Sequence, residues 1–240
     1  MKIAVLSDVH GNASALERVL DDLKNSNIKK VIILGDMIMK GPMPQKVLKL
    51  LHSSNLEILA WVKGNTDLWF QEFNYNIQPL SKEAENFTYY KYAVDHLDHN
   101  DISFINNLPD KQSLFINNKT ILCVHGTPKS IVEAIDSTVS IKEIKKAIDG
   151  VSEDIILSGH SHTSYIGECN GKKIFNVGSI GNMLDGDNRI SYGILDFSNE
   201  KVKFINKRLE YNTAEAIECA KTQGFPYIDK YKNLILKAEF

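Results

Sequence analysis

Apolar runs and helical stripes alternate through the first quarter of the chain. "KIAVLS" (2–7) is continuously apolar, as a strand buried on both faces should be. Asn12 can then cap a helix whose Leu16, Val19, Leu20 and Leu23 recur at i, i+3, i+4 and i+7. "KKVIILGD" (29–36) is the next buried strand, and Pro42 and Pro44 open a helix carrying Val47, Leu48 and Leu51. "LEILAWVKG" (56–64) is the third strand. The order βαβαβ predicts a parallel sheet with right-handed crossovers.

Residues 68–108 break this rhythm with aromatics and asparagines. The part from Ser81 to about Leu97 has helical character and carries Tyr89, Tyr90 and Tyr92, which predicts a helical insertion over the carboxyl edge of the sheet or on one sheet face. The second half is rich in strands: 120–126, 154–162, 172–179, 189–197 and 201–211. Asn117-Asn118 and Asn170-Gly171 read as hairpin turns, and Ser198-Asn199 as a third. A helix from Thr213 to about Thr222 ends at Gly224, ahead of a polar stretch. Two sheets packed face to face with helices outside would bury all these runs. With no linker, low complexity or repeat, 1–240 reads as a single α/β domain with an insertion at 68–108 and a helical tail at 212–240.

The 240 residues are 43% hydrophobic and 24% charged, enough for a sizeable core. A net charge of −2 gives no footprint for general nucleic-acid binding, and Lys142, Lys145 and Lys146 at helical spacing read as a solvated face. No run is long enough to span a membrane. Three cysteines without CxxC spacing fit reduced thiols and a cytoplasmic protein, with Cys123 as core.

The strand ends carry the chemistry. "LSDVH" sets Asp8 and His10 after the first strand, "LGD" sets Asp36 after the second, and "KGN" sets Asn65 after the third. "VHG" ends another strand with His125, and "SGHSH" follows the next with His160 and His162. A lone Asp at such a place commonly caps a helix, and a lone His is more often packing; His52, His96 and His99 are read that way. Independent capping and packing would not set all seven at matching strand ends, where open α/β sheets bind ligands. The donors suit two divalent metals, manganese foremost, with Fe, Ni, Zn or Mg as alternatives. Asp36, on the middle strand of the first three, is the natural bridge. Two dications with two aspartates leave net positive charge that attracts a phosphate and activates a bridging water, whose hydroxide would attack in line.

"DVHGN", "GDMIMKGP", "GNTD", "VHGTP" and "GHSH" resemble, in order, the five motifs of the calcineurin-like metallophosphoesterases. The later "NVGSIGNMLDGDNRISYGILDF" and "YNTAEAIECAKTQGFP" resemble the small bacterial and archaeal phosphodiesterase branch. The resemblance implies a four-layer α-β-β-α sandwich of two mixed sheets. It assigns Asp8, His10, Asp36 and His162 to one metal, and Asp36, Asn65, His125 and His160 to the other. It also suggests Asn12 and Arg189 as substrate contacts.

One position departs from the family pattern: the usual His after the Asn is Thr66 here. In relatives that have it, this His assists catalysis. A threonine hydroxyl is a poor proton donor but can still bond a phosphate oxygen, so good leaving groups should be favoured. Asp36, Asn65, Thr66 and His125 are thus the expected catalytic group. The expected activity is hydrolysis of small phosphodiesters or nucleotides. The alternatives are a dinucleoside polyphosphate hydrolase or a phosphoprotein or phosphomonoester phosphatase. The phosphatases carry an arginine where Lys40 stands in "GDMIMKGP". A non-catalytic scaffold of this fold would usually have lost ligands, and none is lost.

Overall fold

A computed structural model describes residues 1–72, 83–199 and 201–239. The elements run β1 (Lys2–Leu6), α1 (Ala13–Asn25), β2 (Lys30–Ile33), α2 (Pro44–Ser53), β3 (Glu57–Trp61), α3 (Trp69–Glu72), α4 (Ala84–Asp95) and α5 (His99–Asn106). Then come β4 (Lys111–Ile116), β5 (Lys119–Val124), α6 (Ile141–Ala147), β6 (Ile155–Ser158), β7 (Ser164–Cys169) and β8 (Lys172–Val177). The chain continues through β9 (Ile190–Asp196), β10 (Lys203–Leu209), α7 (Thr213–Thr222) and α8 (Ile228–Lys237).

The strands form two mixed sheets, ordered β10-β9-β1-β2-β3 and β4-β5-β6-β8-β7. β1, β2 and β3 are parallel neighbours, as the βαβαβ pattern requires. Period-two alternation splits each buried run between two layers. Ile3, Val5, Ile32, Leu34 and Val62 meet Phe175, Val177 and Leu157 of the other sheet. Ala4, Leu6, Val31 and Ile33 face Leu16, Val19, Leu23, Val47, Leu48 and Leu51 of the helices. The outer face of the second sheet is covered by α6 and the 127–140 segment through Ile135, Ile144 and Ile148. This is the expected α-β-β-α sandwich. Among the described residues, no helix is long and apolar enough to cross a membrane.

The predicted caps hold. The Asn12 side chain accepts from the Ala15 N–H at 3.1 Å, and Pro44 occupies the first turn of α2. Positive φ at Asn117 and Asn118, and at Asn170 and Gly171, is the two-residue hairpin geometry read from their sequence. Those turns recruit β4 and β7, two edge strands too polar to stand out as apolar runs. Ser198-Asn199 differs. Pairing of β9 with β10 begins at Asp196↔Lys203, so this connection is longer than a two-residue turn. The stretch 154–162 also extends less than its apolar run suggests, because β6 stops at Ser158 and "GHSH" is loop.

The expected polar stretch after Gly224 is instead α8, which buries Tyr231 and Ile235 one turn apart. Its many lysines mask that stripe in the sequence. In the insertion, α4 docks on the rest of the fold through Tyr92, whose hydroxyl donates to Pro42 O at 2.8 Å. Tyr89 stacks on Phe225 with ring centroids 5.6 Å apart. The expected helix start at Ser81 lies outside the described residues.

Phe175 is wholly buried between the sheets, edge-on to Phe204. Phe175→Ala should lower the free energy of unfolding by about 3–5 kcal/mol in urea titrations. Phe115→Ser, at a site that is 72% exposed on β4, should change it by less than about 0.5 kcal/mol.

Candidate metal centre

The carboxyl ends of β1, β2, β3, β5 and β6 bring Asp8, His10, Asp36, Asn65, His125, His160 and His162 into one cluster. Five of the seven (Asp8, His10, Asp36, His160 and His162) have φ between 48° and 69°. Left-handed backbone is uncommon for residues other than glycine, and such strain persists where the surroundings impose it. Here the loops impose it by zipping together. The His10 N–H donates to Asp36 O at 3.0 Å, Asp8 N–H to Gly35 O at 3.1 Å and Gly181 N–H to Asp8 O at 2.9 Å.

The hydrogen-bond partners settle the histidine tautomers. His10 Nδ1 lies 2.9 Å from Met39 O, His125 Nδ1 is 2.7 Å from Leu34 O, and His162 Nδ1 meets Asn182 O. A carbonyl only accepts, so each of these nitrogens carries a hydrogen, and in the neutral ring each Nε2 presents a bare lone pair. His160 is reversed: its Nε2 faces Val132 O at 3.0 Å, which leaves Nδ1 bare. The bare nitrogens of His10 and His162 then stand 3.1 Å apart, with Asp8 Oδ1 at 3.5 and 3.2 Å from them. On the other side, Asn65 Oδ1 lies 3.0 Å from His125 Nε2 and 2.8 Å from His160 Nδ1.

Asp36 Oδ2 stands between the two groups, 3.8 Å from His10 Nε2 and 3.5 Å from His125 Nε2. Asp8 Oδ1 is buried with no hydrogen-bond partner. In their neutral forms these rings, with the carboxylates and the amide oxygen, present lone pairs to one another, a set that fits divalent cations of the nitrogen- and oxygen-loving kind. Two triads, Asp8–His10–His162 and Asp8–Asp36–His125, each bring their ligand atoms within 4.8 Å of one another.

Electrostatics follow the same arrangement. Burial opposes the charged form of Asp8, but the charges of His162 and His125, together with the polar contacts of His10 and His162, hold the carboxyl well below its usual range. Burial likewise opposes the charged form of Asp36, which His125 and His10 hold low. Burial disfavours protonated His125, yet Asp36 and Asp8 raise its pKa; burial lowers that of His10.

Three expected contacts are placed differently. Asn12 is fully buried and its amide is fully used, since Nδ2 donates to Gly181 O at 3.3 Å and Tyr211 OH at 3.2 Å. It is a structural residue of the helix start rather than a substrate contact. Arg189 is exposed and forked onto Asp187, with contacts of 2.6 to 3.1 Å, away from the cluster. Thr66 joins the site through its main chain: its N–H donates to Asp36 Oδ1 at 2.9 Å, while its hydroxyl is buried and unpartnered. The expected bond from this hydroxyl to a phosphate has no open path. His52 packs against Phe104 and Trp61, and His96 stacks on Tyr92, as ordinary structural histidines.

Sequence reasoning missed the carbonyls of Leu34, Met39, Val132 and Asn182 that orient the imidazoles. Main-chain acceptors leave no residue-type signal. It also missed the role of Asp67, whose Oδ2 accepts from Gly64 N–H at 2.8 Å and Asp36 N–H at 3.0 Å, pinning two ligand loops together. Burial, then the nearby Asp36, push the Asp67 carboxyl up from about 4 to about 7. A raised carboxyl pKa contributes stability below the ordinary value that is lost as pH rises through the raised one. Asp67 should therefore contribute a decline in the melting temperature of metal-free protein between about pH 4 and about pH 7, opposed by His10 and His160, whose pKa values burial lowers. Asp67→Asn, which keeps an acceptor for both N–H groups, should flatten that decline by several degrees in paired thermal scans.

The sequence profile of the calcineurin-like phosphoesterase superfamily domain matches residues 1–200. A protein of Methanocaldococcus jannaschii is 29% identical over 242 residues, covering 90% of each chain. The phosphodiesterase YfcE of Escherichia coli is 25% identical over 205 residues, covering 82% of this chain and 88% of its own. A metallophosphoesterase structure from Sphaerobacter thermophilus superposes with a TM-score of 0.78 at 23% identity, covering 99% of both chains. The chain belongs to the calcineurin-like phosphoesterase superfamily.

Proposed function

We propose that this phosphoester hydrolase is a binuclear-metal phosphodiesterase acting on small phosphodiester or nucleotide substrates. The observation that carries the reading is the pair of acceptor clusters on either side of Asp36 Oδ2. In it, Asp8, His10, Asp36 and His162 hold one divalent ion, and Asp36, Asn65, His125 and His160 the other, with manganese suited to the mixed donors. Two such cations supply polarisation of the phosphoryl oxygens and a lower pKa for the attacking water. The protein's part is to fix the donors. Thr66 N–H and the Asp67 carboxylate orient Asp36 from behind, and the four carbonyls lock the imidazoles.

Diesters are favoured over dianionic monoesters because Arg189 is held by Asp187 and Arg208 by Asp185. Among the described residues, no arginine lines the cleft beside the cluster. The relative named a phosphodiesterase supports the same choice. The buried Thr66 hydroxyl leaves no strong side-chain acid at that position to protonate a departing oxygen.

Two outcomes follow. Chelation should remove hydrolysis of bis-p-nitrophenyl phosphate and Mn²⁺ should restore it. Asp36→Asn should fall below about one hundredth of wild-type kcat/KM and retain less manganese by elemental analysis. Unchanged turnover in that variant would refute the assignment. Separately, kcat/KM across a series of aryl diesters should fall steeply as the leaving-group pKa rises, and a flat series would reveal a proton donor elsewhere.

A further inference from the structure

The cluster opens at the His162 and Asn182 end into a cleft of about 580 Å³ between α4 and α8. A phosphate group fills a small part of that space, and the volume matches pockets that enclose a small organic ligand. Its charges balance: Lys40, Lys230 and Lys237 line it together with Glu85, Asp229 and Glu239. Lys230 and Glu85 are also paired with each other at 2.6 Å, tying one wall to the other. A second phosphate or a polyphosphate would find no surplus of positive charge there. Tyr89, Leu184 and Leu234 supply ring and aliphatic surface between the charged groups.

The walls are preformed. Tyr89 of α4 stacks on Phe225 and meets Tyr227 edge-on just before α8, with centroids 5.6 and 5.5 Å apart. Lys40 stands at the same cleft and forms no hydrogen bond or ion pair among the described residues. Its backbone has φ of 74°, and its loop is pinned where Gly11 N–H donates to Met37 O and Met43 N–H to Gly11 O, both at 2.9 Å. Gly41 cannot carry a side chain there, because a Cβ would sit 1.8 Å from His10 O. Lys40 is therefore a cation held on a firm support beside the cluster, and its charge helps keep Asp36 ionised.

We infer that the α4–α8 cleft receives one ester arm of the substrate, an uncharged ring-bearing group of nucleoside size, with Lys40 meeting the phosphate charge at its inner end. The inference rests on the phosphodiesterase reading and adds the substrate class. The insertion and the C-terminal helix are then the specificity walls of the enzyme.

The test compares two diesters with the same p-nitrophenyl leaving group, one with a methyl arm and one with a 5′-thymidyl arm. The Mn²⁺-loaded wild type should prefer the thymidyl substrate at least tenfold in kcat/KM. Asn86→Trp from the α4 wall, and Leu234→Trp from the α8 wall, should each cut that preference at least tenfold. The same variants should lose the rise in melting temperature that thymidine 5′-monophosphate gives the wild type. Lys40→Ala should raise KM for both diesters, and Lys40→Arg should largely restore it. Equal rates for both arms in the wild type, or an unaltered preference in both tryptophan variants, would overturn the cleft assignment and leave the diesterase reading standing. Failure of the wild type to cleave either diester while cleaving p-nitrophenyl phosphate would overturn the diesterase reading itself.

Discussion

Asn65 Oδ1, His125 Nε2 and His160 Nδ1 lie 2.8 to 3.3 Å apart, three potential ligand atoms gathered into one space. His10 and His162 repeat it on the other side of Asp36. Neutral rings so placed turn their lone pairs on one another, a repulsion that a bound cation would convert into attraction. The fold around it must supply the opposing force until then. It does so with backbone: each imidazole is anchored at its far nitrogen by a main-chain carbonyl, buried for His10, His125 and His162 and exposed for His160, and the ligand loops are bonded to one another.

That construction explains where glycine is required. The loop after β3 passes so close to the loop after β2 that a Cβ on Gly64 would stand 2.0 Å from Asp36 Oδ1. Gly35, at φ of 89°, leaves the same gap from the other side. The approach lets Asp67 receive N–H groups from both loops and lets Thr66 N–H reach the Asp36 carboxylate. Packing between the sheets thus reaches the chemistry through only a few atoms. Leu34 illustrates the link, since its side chain belongs to the inter-sheet core while its carbonyl orients His125.

The parts of this structure that could be read from the sequence are those set by residue type and period. Buried parallel strands announce themselves as unbroken apolar runs, and the seven donors stand at the ends of those runs. The edge strands β4 and β7 were visible only through the asparagine turns beside them, because half-solvated strands dilute their apolar signal. Helix α8 was hidden by the lysines around Tyr231 and Ile235. Asn12 and Arg189 show the converse failure. Each sits in a suggestive motif, yet the first spends its amide on Ala15, Gly181 and Tyr211, and the second its guanidinium on Asp187. For Asn12 the deciding partners, Gly181 and Tyr211, are distant in the chain and no local pattern encodes them, whereas the Asp187 that holds Arg189 stands only two residues away in the same motif.

The same distinction separates the floor of the site from its walls. The floor is built from main-chain geometry at strand ends, so a short motif is enough to specify it. The walls come from α4 and α8, segments more than a hundred residues apart that meet through Tyr89, Phe225 and the Glu85–Lys230 pair. A change in either helix reshapes the cleft without disturbing Asp8, Asp36 or the imidazole anchors, since none of those bonds runs through the helices. A phosphoesterase of this construction can therefore exchange its substrate while keeping its metal chemistry. Thr66 fits that division. The backbone N–H at position 66 belongs to the floor and is present whatever the side chain, which frees the side chain from holding Asp36 and makes the loss of a histidine there compatible with an intact centre.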